Sequence, residues 1–125
     1  MIWTVLQVAI GGAVGAVGRY LTGLGAARVL GASYPWGTLT VNVVGSFIMG
    51  ILFIVLATKG EMRLSPLLMT GMLGGFTTFS AFSLDALKLF EKGQIGLAAG
   101  YILATVVFSV LAVVLGVIVA RGIWA

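Results

Sequence analysis

Gly71-Met72-Leu73-Gly74-Gly75-Phe76-Thr77-Thr78-Phe79-Ser80-Ala81-Phe82-Ser83 is the stretch on which the fold turns. It sits inside an apolar segment running from about Leu64 to Leu87. A bilayer core needs roughly 20 apolar residues per helix, and the segment meets that length. Its middle, however, pairs two glycines, each weakening a helix by about 1 kcal/mol relative to Ala. The Thr, Thr and Ser that follow can bond backbone groups freed by an interruption. The pattern predicts a membrane-crossing helix broken at Gly74-Gly75. Irregular backbone at that depth is tolerated only where protein or a watery cavity surrounds it. Broken helices of this kind often turn carbonyls or amides toward an ion.

Outward from this stretch, three more segments have the same character. The spans run from about 3–30, 38–58, 64–87 and 96–120, so the fold class is all-α, an integral membrane four-helix bundle. Gly31-Ala32-Ser33-Tyr34-Pro35 is the first turn, with Pro35 biasing Tyr34 away from helix. Lys59-Gly60-Glu61-Met62-Arg63 is a polar hairpin, and Lys88 to Gly93 makes the third connection. The first span lacks the basic flank and short apolar run of a signal peptide. The chain therefore reads as one domain, 1–125.

Composition agrees. Of 125 residues, 61% are hydrophobic and 8% charged, against about 25% charged in soluble domains. A mean hydropathy of +1.22 cannot be hidden in so small a core, so apolar surface must face the lipid bilayer. Net charge is +4, from scattered basic residues with no basic stripe, which argues against nucleic acid as a partner. The absence of Cys excludes disulfides and thiolate metal sites. The absence of His removes the usual general base and pH switch.

Charge placement bears on orientation. With alternating spans, Lys59, Arg63 and Arg121 share one side of the membrane, and Arg28, Lys88 and Lys92 share the other. Topology is fixed by an imbalance of such residues, and here there is almost none. The chain either takes its orientation from another source or inserts both ways and pairs with an inverted copy of itself. Gly11-x3-Gly15, Ser46-x3-Gly50 and Gly96-x3-Gly100 are spacings that let helix backbones approach closely. They are first of all packing sites, and they imply a bundle with little interior.

The polar residues within the spans point to what passes through. Thr38, Asn42 and Ser46 recur every fourth residue and share one helix face, as do Tyr101, Thr105 and Ser109 in the last span. Asn42 serves either an interhelical hydrogen bond or a passing ion. The Ser and Thr hydroxyls can satisfy themselves on the preceding turn. Phe79 and Phe82 share a face, which suits ordinary packing or an aromatic rim. Glu61 and Glu91 lie in loops and Asp85 near a helix end, so no carboxylate sits in mid-membrane. Proton-coupled antiport and cation conduction both favour an embedded acid. Neutral donors, positively polarised ring edges and Arg19 favour an anion instead.

These motifs carry a resemblance. Gly11-Gly12-Ala13-Val14-Gly15-Ala16 leading to Arg19-Tyr20, Pro35-Trp36-Gly37-Thr38-Leu39-Thr40-Val41-Asn42 and Gly74 through Ser83 together resemble the Fluc (CrcB-type) fluoride ion channel family along nearly the whole chain. The resemblance implies passive, selective fluoride export across the plasma or inner membrane of a microbe, conferring fluoride resistance without any enzymatic step. It implies an antiparallel, dual-topology homodimer with two pores. It implies pore roles for Asn42, Phe79, Phe82 and Ser109, a second hydroxyl at Thr105, and an aromatic near the pore at Tyr101. Thr38 joins this set through the stripe it shares with Asn42. Arg19 would make the vestibule attractive to anions. A structural Na+ (sodium ion) would lie at the dimer centre on the backbone carbonyls of Gly74 and Thr77. Asp85 stands where the family often has Glu, and Val113 where some relatives carry a further hydroxyl. Two rival readings remain: a small dual-topology multidrug/proton antiporter, and a non-transporting membrane assembly subunit.

Overall fold

The computed structural model describes residues 1–124. Four helical spans are long and apolar enough to cross a membrane, and no strand occurs among the described residues. Helix α1 covers Ile2–Leu30 and α2 covers Trp36–Thr58. The third span is composite. A 3-10 turn, Met62–Leu64, leads into a π-helical segment, Pro66–Leu73, and then the single turn α3, Gly74–Phe76. Helicity resumes with α4, Ser80–Glu91, and the last helix, α5, covers Ile95–Trp124.

The ends of these helices follow from local chemistry. Pro35 precedes α2, and Pro66 opens the π-helical segment, where a missing N–H leaves no helical bond unmade. Helices α2 and α4 stop in the same way. Gly60 takes φ 68° and Gly93 φ 78°, positions open to glycine without strain. The N–H groups of Glu61 and Gln94 then reach back to the Leu56 and Leu89 carbonyls at 2.8 and 3.0 Å.

Packing is close where α1 crosses the π-helical segment. A Cβ placed on Gly11 would strike the Leu67 carbonyl oxygen, and one on Gly15 would strike that of Met72. This pair is thus a backbone-to-backbone contact, as its spacing suggests. Gly50 likewise lies against the Val113 carbonyl of α5, and Gly116 of α5 against that of Phe47. A Cβ added at Gly96 or Gly100 would meet nothing within 4 Å. Helices α2 and α5 run side by side in the same direction, so their two polar stripes come into register. The buried cluster of Phe82, Leu89, Ala98 and Tyr101 sits at the end of the bundle that carries the first and third connections. Most other large apolar side chains point outward, as a hydrocarbon surround requires.

The expected position of the interruption needs correction. Gly74 is helical, with φ −62° and ψ −37°, and Gly75 continues the turn. The non-helical residues are Thr77, Thr78 and Phe79, with Thr77 extended at ψ 158°. Gly75 serves a different purpose: its α-carbon faces α1, where an added Cβ would lie 2.7 Å from the Gly12 carbonyl oxygen. The glycines grant close approach, and the interruption falls one turn later, where Asn42 arrives from α2.

Candidate functional site

Asn42 lies on the second turn of α2 and is buried. Its amide oxygen accepts the Thr78 N–H at 2.8 Å, and its Nδ2 donates to the Thr78 carbonyl at 3.0 Å. One side chain therefore satisfies both backbone groups of the residue at the centre of the interruption. The other Nδ2 proton is not used by either bond. Beside it, the Thr78 hydroxyl accepts the Ala81 N–H at 3.1 Å, satisfying one of the free donors in the first turn of α4.

These exchanges leave particular carbonyls without their helical donors. In an unbroken helix the Gly74 carbonyl would receive the Thr78 N–H, which is given to Asn42. The Thr77 carbonyl would receive the Ala81 N–H, which is given to the Thr78 hydroxyl. By contrast, the Leu73 carbonyl receives both the N–H and the hydroxyl of Thr77, at 3.0 and 2.9 Å. Among the described residues no group of three His, Cys, Asp or Glu side chains could hold a metal. The freed carbonyl oxygens are what the interruption could offer a cation, and oxygen donors suit a hard cation such as Na+.

An open-sided cleft of about 320 Å³ adjoins the interruption. Asn42, Phe79, Phe82, Thr105 and Ser109 line it, all of them expected from the sequence, together with Ser46, Thr77 and Thr78. No residue lining it carries a charge. Phe79 is 77% exposed, whereas Phe82 is 6% exposed and forms the inner wall. Their rings meet edge-on, with centroids 5.4 Å apart and planes at 72°. On the opposite wall, the Thr105 and Ser109 hydroxyls are buried and have no hydrogen-bond partner. Four other hydroxyls in the chain, on Thr22, Thr40, Thr77 and Ser83, bond to the carbonyl four residues earlier. Thr105 and Ser109 do not.

Thr38 and Tyr101 stand apart from this cleft. Both turn to Asp85: the Thr38 hydroxyl donates to its Oδ2 at 2.6 Å and the Tyr101 hydroxyl to the same oxygen at 3.4 Å. Tyr101 still touches the cleft indirectly, its ring 5.3 Å from that of Phe82. A run of aromatics then leads outward through Tyr34, 5.6 Å from Tyr101, to Trp36, 4.6 Å from Tyr34. Burial in this run pushes the Tyr34 phenol above its ordinary pKa, so it is neutral at physiological pH.

Arg19 lines a second cleft, of about 270 Å³, with Tyr20, Thr38 and Thr78 among its neighbours. Its Nε–H donates to the Gly75 carbonyl at 3.1 Å. Thr78 borders both clefts. Sequence reading did not single out Thr78 or give Asp85 its two donors. The available signal for Asp85 was its spacing from Phe82 and Leu89, which places it on the buried face of α4.

Residues 6–117 match the sequence profile described as "CrcB-like protein, Camphor Resistance (CrcB)". A protein of Cereibacter sphaeroides is 58% identical over 98% of both chains, and one of Paracoccus denitrificans is 52% identical over 98% of both. A third, from Agrobacterium fabrum, is 53% identical over 94% of this chain and 95% of its own. Each of the three carries the name fluoride-specific ion channel FluC. With its four membrane-crossing spans and a match over nearly its whole length, this chain belongs to the CrcB (Fluc) family.

Proposed function

We propose that this chain forms a channel through which fluoride leaves the cell passively, and that the cleft at Asn42, Phe79, Phe82, Thr105 and Ser109 is one wall of its pore. The observation that carries the reading is the pair of unpartnered hydroxyls. A buried hydroxyl left without a partner costs about 1–3 kcal/mol, so a surplus donor facing a cleft calls for a ligand. Opposite them stand phenyl edges, which carry partial positive charge, and a spare Asn42 N–H. Together these can replace part of a small anion's water shell. An uncharged lining avoids holding the ion too tightly to release it.

The energetics need no chemical step. Neutral HF crosses lipid and dissociates at cytoplasmic pH. An anion path then lets a membrane potential, negative inside, expel fluoride, with about 2.3 kcal/mol per charge for each 100 mV. The setting is a microbial plasma or inner membrane. The open side of the cleft supports closure by a second, inverted chain, giving two pores per antiparallel dimer. The freed carbonyls of Gly74 and Thr77 fit a Na+ ion shared between two such chains, where it would act as a structural tie.

The test is ion flux from liposomes holding the purified protein. Fluoride should escape rapidly and chloride should stay. A vesicle that remains tight to fluoride, with folded protein confirmed inside it, would refute the reading. Proton-coupled release of a lipophilic cation would favour the antiporter, although no cleft-lining residue is acidic. No flux of any ion would favour the assembly subunit.

A further inference from the structure

The Arg19 guanidinium does more than add positive potential, because its Nε–H is held by the backbone of the third span. The Gly75 carbonyl it bonds would, in a continuous helix, receive the N–H of Phe79, which lies beyond the point where α3 ends. The carbonyls at this terminus are treated differently. Those of Leu73, Gly75 and Thr78 are occupied, by Thr77, Arg19 and Asn42 in turn. Those of Gly74 and Thr77 have lost their donors to Asn42 and to the Thr78 hydroxyl. Gly75 thus lies between the two carbonyls read as ion ligands and is closed by an arginine from another helix. That arginine is well placed for the task. Gly15, one turn before it on α1, touches the Met72 backbone, so α1 carries Arg19 directly over the end of the half-helix.

We propose that Arg19 is a positioning residue for the sodium site, and that by closing the Gly75 carbonyl it sets the preference of that site for Na+ over K+. The inference rests on the reading of Gly74 and Thr77 as Na+ ligands in a pair of inverted chains. In that reading each chain gives two ligand oxygens. Release of Gly75 would offer a third from each chain, and a larger set of oxygens suits the larger K+ ion better. The guanidinium also places a fixed positive charge against the negative end of the half-helix dipole. Its planar fork aims the Nε–H in one direction, which a lysine ammonium on a flexible stem does not reproduce.

The test is the thermal unfolding midpoint of the purified full-length protein, titrated with NaCl or KCl at constant ionic strength. In the wild type, Na+ should raise the midpoint at concentrations at least tenfold lower than K+. In Arg19→Ala the two ions should come within about threefold of each other. Wild-type preference in that variant would overturn the proposal. Should Arg19→Ala fail to fold, Arg19→Lys keeps the charge without the fixed fork and is expected to lose at least half of the preference on a logarithmic scale. Full preference in the lysine variant would show that charge alone suffices, and would equally overturn it. A wild-type midpoint indifferent to Na+ would remove the sodium site itself, and this inference with it. That outcome is read before any variant is made.

Discussion

Thr105 and Ser109 each sit four residues after a carbonyl that could accept their hydroxyl proton, and each leaves it unused. This has an energetic sign. Thr105→Val removes a buried unpartnered hydroxyl while nearly keeping the shape, so the variant should be more stable than the wild type, by about 1 kcal/mol. Fluoride flux should nevertheless fall severalfold. Unfolding midpoint and liposome efflux measured on the same preparation check both signs, and a destabilised variant with normal flux would contradict a pore role. The two phenylalanines separate in the same manner. Phe82 is buried against Tyr101, so Phe82→Ile should cost about 1–1.5 kcal/mol of packing as well as flux. Phe79 is largely exposed within the chain, so Phe79→Ile should fold normally and still conduct almost no fluoride. Wild-type efflux through the Phe79 variant would count against the role given to ring edges.

At the scale of elements, the third span depends on a residue of the second. Asn42 donates to and accepts from Thr78, using the separate nitrogen and oxygen of its amide. Asn42→Asp keeps the acceptor, loses the donor and sets a carboxylate oxygen against the Thr78 carbonyl. It also brings negative charge into a cleft without charged residues. The expected result is a loss of about 1–3 kcal/mol in stability together with blocked permeation at neutral pH. A stable, fully conducting Asn42→Asp protein would rule out an anion path past this residue. The same dependence explains what the sequence could tell. Span lengths were legible because hydropathy is a local property, and the polar stripes of α2 and α5 because their spacing is that of a helix. The interruption was misplaced by one turn because Gly74-Gly75 was read by local propensity. Its actual site is set by Asn42, which lies 36 residues away in the chain. The π-helical winding of Pro66–Leu73 has no signature in its side chains. Thr38 was grouped with the pore residues through its spacing from Asn42 and Tyr101 through the family resemblance; the bonds that both hydroxyls make to Asp85, on a third helix, are a tertiary contact that neither signal contains.

At the scale of the whole molecule, a single chain leaves its cleft open on one side, and the even charge count across its loops supplies a way to learn what closes it. Orientation follows the Lys and Arg content of the short loops. Thr58 and Glu61 belong to one end of the bundle, Ser33 and Gln94 to the other, and three of the four are exposed, with Glu61 only partly so. The Glu61–Arg63 ion pair, at 2.8 Å, lies on the surface, so its loss should cost little. Thr58→Lys with Glu61→Lys should therefore bias insertion one way, and Ser33→Lys with Gln94→Lys the other, without disturbing the helices. If the functional unit is an inverted pair, cells expressing either double variant alone should lose most of their fluoride efflux. Cells expressing both should recover it, because each supplies the orientation the other lacks. A parallel pair or a lone chain gives the opposite pattern, with each variant as active alone as in the mixture. Efflux from intact cells loaded with fluoride distinguishes these outcomes. Side-specific labelling of a cysteine introduced at Ala32 confirms that the added charges have fixed the orientation, and the absence of native cysteine leaves that label without background.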